Sequence, residues 1–190
     1  MHLHDRFAEF LSASEIIEAT PALLNDQRRR FVSSPDIVLQ PNSVENVQKI
    51  MRFCFENRIR ITPQGGNTGL CGATVTTEGV LLNLSKLNRI RDINLADNSM
   101  TVEAGVILQN AQKAATEAGR LFPLSLASEG SCQIGGNIAC NAGGLNVLRY
   151  GSMRDLVLGL EVVLPNGELV SHLQPLHKNT TGYDLRHLFI

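Results

Sequence analysis

Pro63-Gln64-Gly65-Gly66-Asn67-Thr68-Gly69-Leu70 follows directly on the predicted strand Arg60-Ile61-Thr62. A second segment of the same character, Gly130-Ser131-Cys132-Gln133-Ile134-Gly135-Gly136-Asn137, runs on to Asn141-Ala142-Gly143-Gly144. Glycine adopts left-handed dihedrals freely and has no Cβ to block close approach. Successive backbone N–H groups in such a stretch can converge on an anion as a nest. Asparagine also tolerates the left-handed region and donates through its amide. One loop of this kind says little about a ligand. Two of them, each ending a hydrophobic run, point to one large, doubly phosphorylated molecule.

Working outward from the first loop, residues 37–84 read as strand, helix, strand, loop, strand. Ile37-Val38-Leu39 is a short apolar run ending before Pro41. Ser43 starts a helix whose apolar face is Val44, Val47, Ile50, Met51, Cys54 and Phe55, and Asn57 is its expected left-handed end. Val80-Leu81-Leu82-Asn83-Leu84 is a further strand, and the helical crossover suits parallel pairing. Upstream, Phe7, Phe10, Leu11, Ile16 and Ile17 predict helix within the first twenty residues. Downstream, Ile90–Ile93 and Met100–Ala104 alternate around the turn signal Asp97-Asn98. Val106 to Ala118 reads as an amphipathic helix stopped by Gly119. The second glycine-rich stretch then spans roughly 25 residues with little periodicity, and loops of that length inside a compact domain are usually functional. Leu156 to Leu164 is apolar and turns at Pro165-Asn166-Gly167 into a hairpin. The expected fold class is α+β: a small parallel α/β subdomain over residues 1–89, then a mostly antiparallel α+β subdomain over residues 90–190. The chain stops on Leu188-Phe189-Ile190 with no polar tail, which suggests a fragment.

Composition sets the outer limits. The 190 residues are 43% hydrophobic and 18% charged, which is globular rather than disordered. A formal net charge of −1 argues against nucleic-acid binding, which needs a concentrated basic surface. The basic run Arg28-Arg29-Arg30 reads as a solvated face. Cys54, Cys71, Cys132 and Cys140 form no C-x-x-C pair, so a zinc or iron–sulfur site is not expected. Reduced thiols fit a cytoplasmic location. No 18-residue apolar run predicts a transmembrane helix, and the N-terminus does not read as a secretory signal.

Neither common nucleotide motif fits. A Rossmann site needs G-x-G-x-x-G between a strand and a helix. Gly65-Gly66-Asn67-Thr68-Gly69 is instead followed by Leu70-Cys71-Gly72. A P-loop needs Gly-Lys-Ser/Thr, which is absent. The first loop does resemble the first pyrophosphate loop of the vanillyl-alcohol oxidase / p-cresol methylhydroxylase (PCMH) type of FAD-binding domain. Gly130 to Gly144, with Arg149-Tyr150-Gly151, resembles the second flavin loop of that family. Residues 154–167 and Thr181-Gly182-Tyr183-Asp184-Leu185 continue the match. The wording is most similar to D-2-hydroxyglutarate dehydrogenases and their D-lactate dehydrogenase relatives.

That resemblance implies FAD as cofactor. Pro63, Gln64, Gly65, Gly66, Asn67, Thr68, Gly69 and Leu70 would form the pyrophosphate loop, with Asn67 and Thr68 adding side-chain donors. Gly130, Ser131, Ile134, Gly135, Gly136 and Asn137 would wrap the ribityl–phosphate side. Asn141, Ala142, Gly143 and Gly144 would approach the isoalloxazine edge, and Tyr150 and Gly151 would close the loop. Gly105 is a further candidate. Some relatives attach flavin through a first-loop histidine; this loop has none, so non-covalent FAD is expected. His172, His177 and His187 read as surface or core residues, and Cys71 and Cys132 as small core residues. The resemblance places catalytic, substrate-binding and metal groups beyond Ile190, so no residue here is assigned as catalytic or as a metal ligand. The implied reaction is oxidation of a small-molecule 2-hydroxy acid to a 2-oxo acid, with electrons passing to a carrier or quinone. The competing reading is a non-catalytic flavin-binding subunit acting with a partner chain. A nucleotide-sugar reductase on the same fold is disfavoured by Tyr183-Asp184-Leu185 and by the Asn141–Gly144 loop. Exposed apolar surface would favour a homodimer or loose FAD binding.

Overall fold

The computed structural model describes residues 2–190. The chain divides into two units. The first runs to Leu87 and takes in Val163–Leu169; the second holds Asn88–Val162 and Val170–Ile190.

The first unit contains α1 (Leu3–Ala8), a 3-10 turn (Ala13–Glu15), β1 (Ile16–Ile17) and α2 (Pro21–Leu24). It continues through β2 (Ile37–Leu39), α3 (Val44–Glu56), β3 (Ile61–Gln64) and β4 (Val80–Asn83). The sheet order is β1-β2-β4-β3. β4 pairs in parallel with both β2 and β3, while β1 is antiparallel to β2. Every residue of β2 and β4 is buried, which is why Ile37-Val38-Leu39 and Val80-Leu81-Leu82 read as unbroken apolar runs rather than alternating ones. Phe7, Leu39, Ile50, Cys54 and Val80 meet in one core, and burial pushes the Cys54 thiol up to about 12. Ser43 caps α3, its side chain accepting from the Asn46 N–H at 3.2 Å, a contact worth about 1 kcal/mol.

Three details depart from the sequence reading. Ile16 and Ile17 are not helical; they pair with Leu39 and Val38 at the sheet edge. Helix α3 does not end on a left-handed Asn57 (φ −98°); the next residue, Arg58, takes that conformation at φ 53°. Pro63 and Gln64 belong to β3 rather than to the loop. β3 pairs on one side only, and an edge strand tolerates a residue with no N–H.

Glu15 ties this framework together. Its carboxylate accepts from the Ser12 N–H (3.1 Å) and hydroxyl (2.7 Å), the Asn42 N–H (3.0 Å) and the Asn46 amide (2.8 Å). Burial opposes its ionisation, but these hydrogen bonds outweigh that and hold it at about 2.

The second unit opens with β5 (Ile90–Asn94) and β6 (Ser99–Val102), antiparallel around Asn98 at φ 50°. Helices α4 (Leu108–Glu117), α5 (Ile134–Ala139), α6 (Val147–Tyr150) and α7 (Met153–Leu156) follow. β7 (Leu160–Val163) and β8 (Leu169–His172) pair as a separate two-stranded sheet, and a 3-10 turn covers Leu185–Leu188. Gly167 at the hairpin bend has φ 83°, and its carbonyl accepts from Gln48 Nε2 at 3.1 Å within the first unit. Val106, Leu108, Leu124, Ile134 and Met153 form the second core. Glu103 is buried; burial opposes its charge, but Arg89 and Arg91 hold its carboxyl below the usual range.

Short helices occupy most of what reads as an irregular loop. Ile134-Gly135-Gly136-Asn137 has poor helix propensity, yet it forms the first turn of α5. Packing explains it: Ile134 is buried in the second core, and Gly135 lies against Ala104, where a Cβ would come within 2.7 Å of the Ala104 Cβ.

Candidate functional site

The first glycine-rich loop leaves a fixed strand end. Asn83 Nδ2 donates to Gln64 Oε1 (3.2 Å), Gln40 Nε2 donates to Asn83 Oδ1 (3.0 Å), and Gln64 Nε2 donates to the Leu23 carbonyl (2.9 Å). Both Gln64 and Asn83 are buried, so their amides must be satisfied internally.

The left-handed residue of this loop is Asn67, at φ 52°; Gly65, Gly66 and Gly69 are not left-handed. Its side chain is fully engaged. Nδ2 donates to the carbonyls of Ala22 (3.1 Å) and Asn25 (2.7 Å), and Oδ1 accepts from the Thr74 hydroxyl at 2.8 Å. The amide that the sequence offered as a ligand donor is therefore committed to the protein. Leu70 has an exposed side chain, and its carbonyl accepts from Arg30 Nη2 at 2.8 Å. In contrast, the N–H groups of Gly66, Asn67, Thr68 and Gly69 donate to no group among the described residues, nor does the Thr68 hydroxyl. A run of unengaged donors with no acceptor facing them suits an anion.

The second segment is built differently. The N–H groups of Ser131 and Cys132 donate to Ser128, that of Ile134 to Val106, and that of Gly135 to Ala104. Those of Asn141, Ala142 and Gly151 are engaged as well. Ile134, with its side chain in the core and its N–H engaged, has nothing left to offer a ligand. Gly135 serves packing, and so does Gly144, where a Cβ would lie 2.1 Å from the Ser125 carbonyl oxygen. Gly151 has φ 79° and abuts Asp155. Asn141, at φ 44°, accepts the Arg154 N–H on its side chain at 2.9 Å. Ala142 packs against the second core, and Arg149 lies over the Tyr150 ring at 5.3 Å. Gly130, Gly136 and Gly143 are exposed, with open space or ordinary contacts where a Cβ would go.

What this segment holds in reserve is side-chain chemistry. Gln133 Oε1, at the N-cap of α5, and Asn137 Nδ2, within that helix, are buried without a hydrogen-bond partner. A buried orphan of this kind costs about 1–3 kcal/mol, so it marks a place where a polar group fits. An unpaired acceptor and an unpaired donor match a molecule carrying both hydroxyl or N–H and carbonyl functions. Gln133 went unassigned in the sequence, since nothing in its residue type marks it as buried at the end of a helix. No group of three or more His, Cys, Asp or Glu residues able to hold a metal occurs among the described residues. Nor is any of their helices long and apolar enough to cross a membrane.

Comparison with known proteins identifies the family. The profile of the FAD binding domain matches residues 35–172, and the chain belongs to that family. Its cofactor is FAD, and its fold is of the PCMH type. D-2-hydroxyglutarate–pyruvate transhydrogenase DLD3 of Saccharomyces cerevisiae is 41% identical, covering 97% of this chain and 38% of that protein. D-2-hydroxyglutarate dehydrogenase of Xanthomonas citri pv. viticola is 45% identical, covering 87% of this chain and 35% of that protein. The chain thus spans little more than a third of the length of these relatives. Among solved structures, alkyldihydroxyacetonephosphate synthase superposes with a TM-score of 0.83 at 16% identity, over 98% of this chain and 35% of that one. 6-Hydroxy-D-nicotine oxidase of Arthrobacter nicotinovorans gives 0.73 at 23% identity, over 84% and 35%. At those identities the likeness concerns the fold.

Proposed function

We propose that this chain is the FAD-holding part of a flavin-dependent dehydrogenase that oxidises a small 2-hydroxy acid, of the D-2-hydroxyglutarate or D-lactate type, to the 2-oxo acid. The observation that carries the reading is the run of unengaged N–H groups at Gly66–Gly69 in a loop that ends a parallel strand. Those groups and the Thr68 hydroxyl hold the pyrophosphate. Within the second unit, Gly136, Gln133 and Asn137 are the groups offered to the polar functions of the flavin, together with Gly130, Gly143 and Tyr150. Bound FAD supplies hydride acceptance, while the protein supplies position and electrostatics. The names of the relatives support the substrate class. Attachment is non-covalent, since the first loop carries no histidine.

Exposed Leu145 and Leu148 support self-association, which sedimentation at two concentrations tests. The four free cysteines support a reducing compartment such as the cytoplasm, although several relatives are named mitochondrial; cell fractionation decides between them. The main test is the visible spectrum of the purified chain before and after adding FAD and desalting. Flavin bands perturbed at saturating FAD are expected, retained on desalting if the site is tight; an FAD spectrum unchanged by the protein at saturation would sink the reading.

A further inference from the structure

We propose that Asn67 is a positioning residue that preforms the pyrophosphate loop, and not a ligand of the cofactor; this rests on the FAD reading above. Asn67 sits at φ 52°, a conformation that costs a non-glycine residue free energy unless its surroundings enforce it. The surroundings do so with three hydrogen bonds that use both amide hydrogens and the carbonyl oxygen. Two go to the carbonyls of Ala22 and Asn25, and one comes from the Thr74 hydroxyl. The segment gripped in this way is itself fixed. Asp26 accepts the N–H groups of Arg30 (2.6 Å) and Phe31 (2.8 Å), and Asn25 bridges to Val32. Arg30 then returns to the Leu70 carbonyl, so the loop is held within its run of free N–H groups, at Asn67, and again just after it, at Leu70.

A clasp that turns the side chain inward leaves the backbone of the same residue turned outward. The loop therefore meets FAD with its donors already aligned, and no ordering of the loop is left for the binding step. If the clasp is cut, the loop is competent only part of the time, and apparent affinity drops by that fraction.

The test compares Asn67→Gly, which keeps access to positive φ but removes all three bonds, with Thr74→Val, which cuts one bond from outside the loop. Three losses of ordinary hydrogen bonds predict FAD affinity about 10- to 100-fold weaker for Asn67→Gly, and a smaller loss for Thr74→Val. The association rate should carry most of the change. Without FAD, the backbone 15N order parameters of residues 65–70 should fall in both variants while the far-UV spectrum shows the fold intact. At saturating FAD, the visible bands and the order parameters should return to those of the unmodified chain. Adding Thr74→Val to Asn67→Gly should cost nothing more, because the partner is already gone. Unchanged order parameters in the FAD-free Asn67→Gly protein, with faster FAD dissociation, would make Asn67 a direct ligand and overturn the proposal. If the unmodified chain binds no FAD, the functional reading fails, yet the FAD-free order parameters still decide whether the clasp orders the loop.

Discussion

The two glycine-rich segments look alike in the sequence and work in opposite ways. The first keeps its backbone donors at Gly66–Gly69 and the Thr68 hydroxyl unengaged and ties down the Asn67 side chain, which its sequence also offered to a ligand. The second engages its backbone at Ser131, Cys132, Ile134 and Gly135 and leaves side chains, Gln133 and Asn137, without partners. On the proposed reading, the phosphates, which only accept hydrogen bonds, take donors alone, and the ribityl chain and flavin ring, which both donate and accept, take a pair of amides. The difference also assigns the glycines. In the second segment Gly135 and Gly144 admit neighbouring backbone, whereas at Gly136, as at Gly69, there is nothing within 4 Å of where a Cβ would stand.

The largest expected effect breaks the second segment. Gly144→Ala would place a methyl 2.1 Å from the Ser125 carbonyl oxygen, a group already accepting from Leu145 N–H. Overpacking against backbone should lower stability by about 3 kcal/mol, read by urea unfolding. Next comes the framework of the first unit. Glu15→Gln should cost about 2 kcal/mol at pH 7, since a buried hydrogen-bonded charge is replaced by a group that cannot accept at every position. The folded pKa of Glu15, about 2, is below the ordinary 4.5. Its contribution is therefore complete above about 4.5 and is lost as pH falls toward 2. The two proteins should converge in stability over that window, and a constant gap would refute the assignment.

Asn137→Leu separates binding from folding. Removing an orphaned buried donor should leave the melting temperature unchanged or raised, whereas FAD affinity should fall about tenfold, or ~1.4 kcal/mol. A loss of stability with unchanged affinity would mean that Asn137 belongs to the core. The smallest effect is Gly69→Ala, expected within about 0.5 kcal/mol of the unmodified chain in stability. A large loss there would erase the contrast between the segments.

The strands and the long helix were legible because each obeys one strong local rule. Ile37-Val38-Leu39 and Val80-Leu81-Leu82 are apolar because both faces are covered, and Ser43 announces α3 as its cap. The Asn166-Gly167 bend was legible for the same reason. Helix α5 was not, since Gly135 and Gly136 oppose helix and only packing against Ala104 and the second core overrides them. Ile16 and Ile17 went astray through the same cause, with pairing to β2 outweighing their spacing. The position of the first loop could be read, but the use of Asn67 could not. Its amide acceptors lie on Ala22 and Asn25, distant in sequence and marked by no motif, because backbone carbonyls leave no trace in residue identity.

Residue-resolved amide exchange of the unmodified chain, with and without saturating FAD, addresses the central claim most directly. The account predicts marked slowing at Gly66–Gly69 on FAD binding and little further change at Ser131, Cys132, Ile134 and Gly135, which are already hydrogen-bonded. Flavin bound with no slowing at Gly66–Gly69 would contradict it.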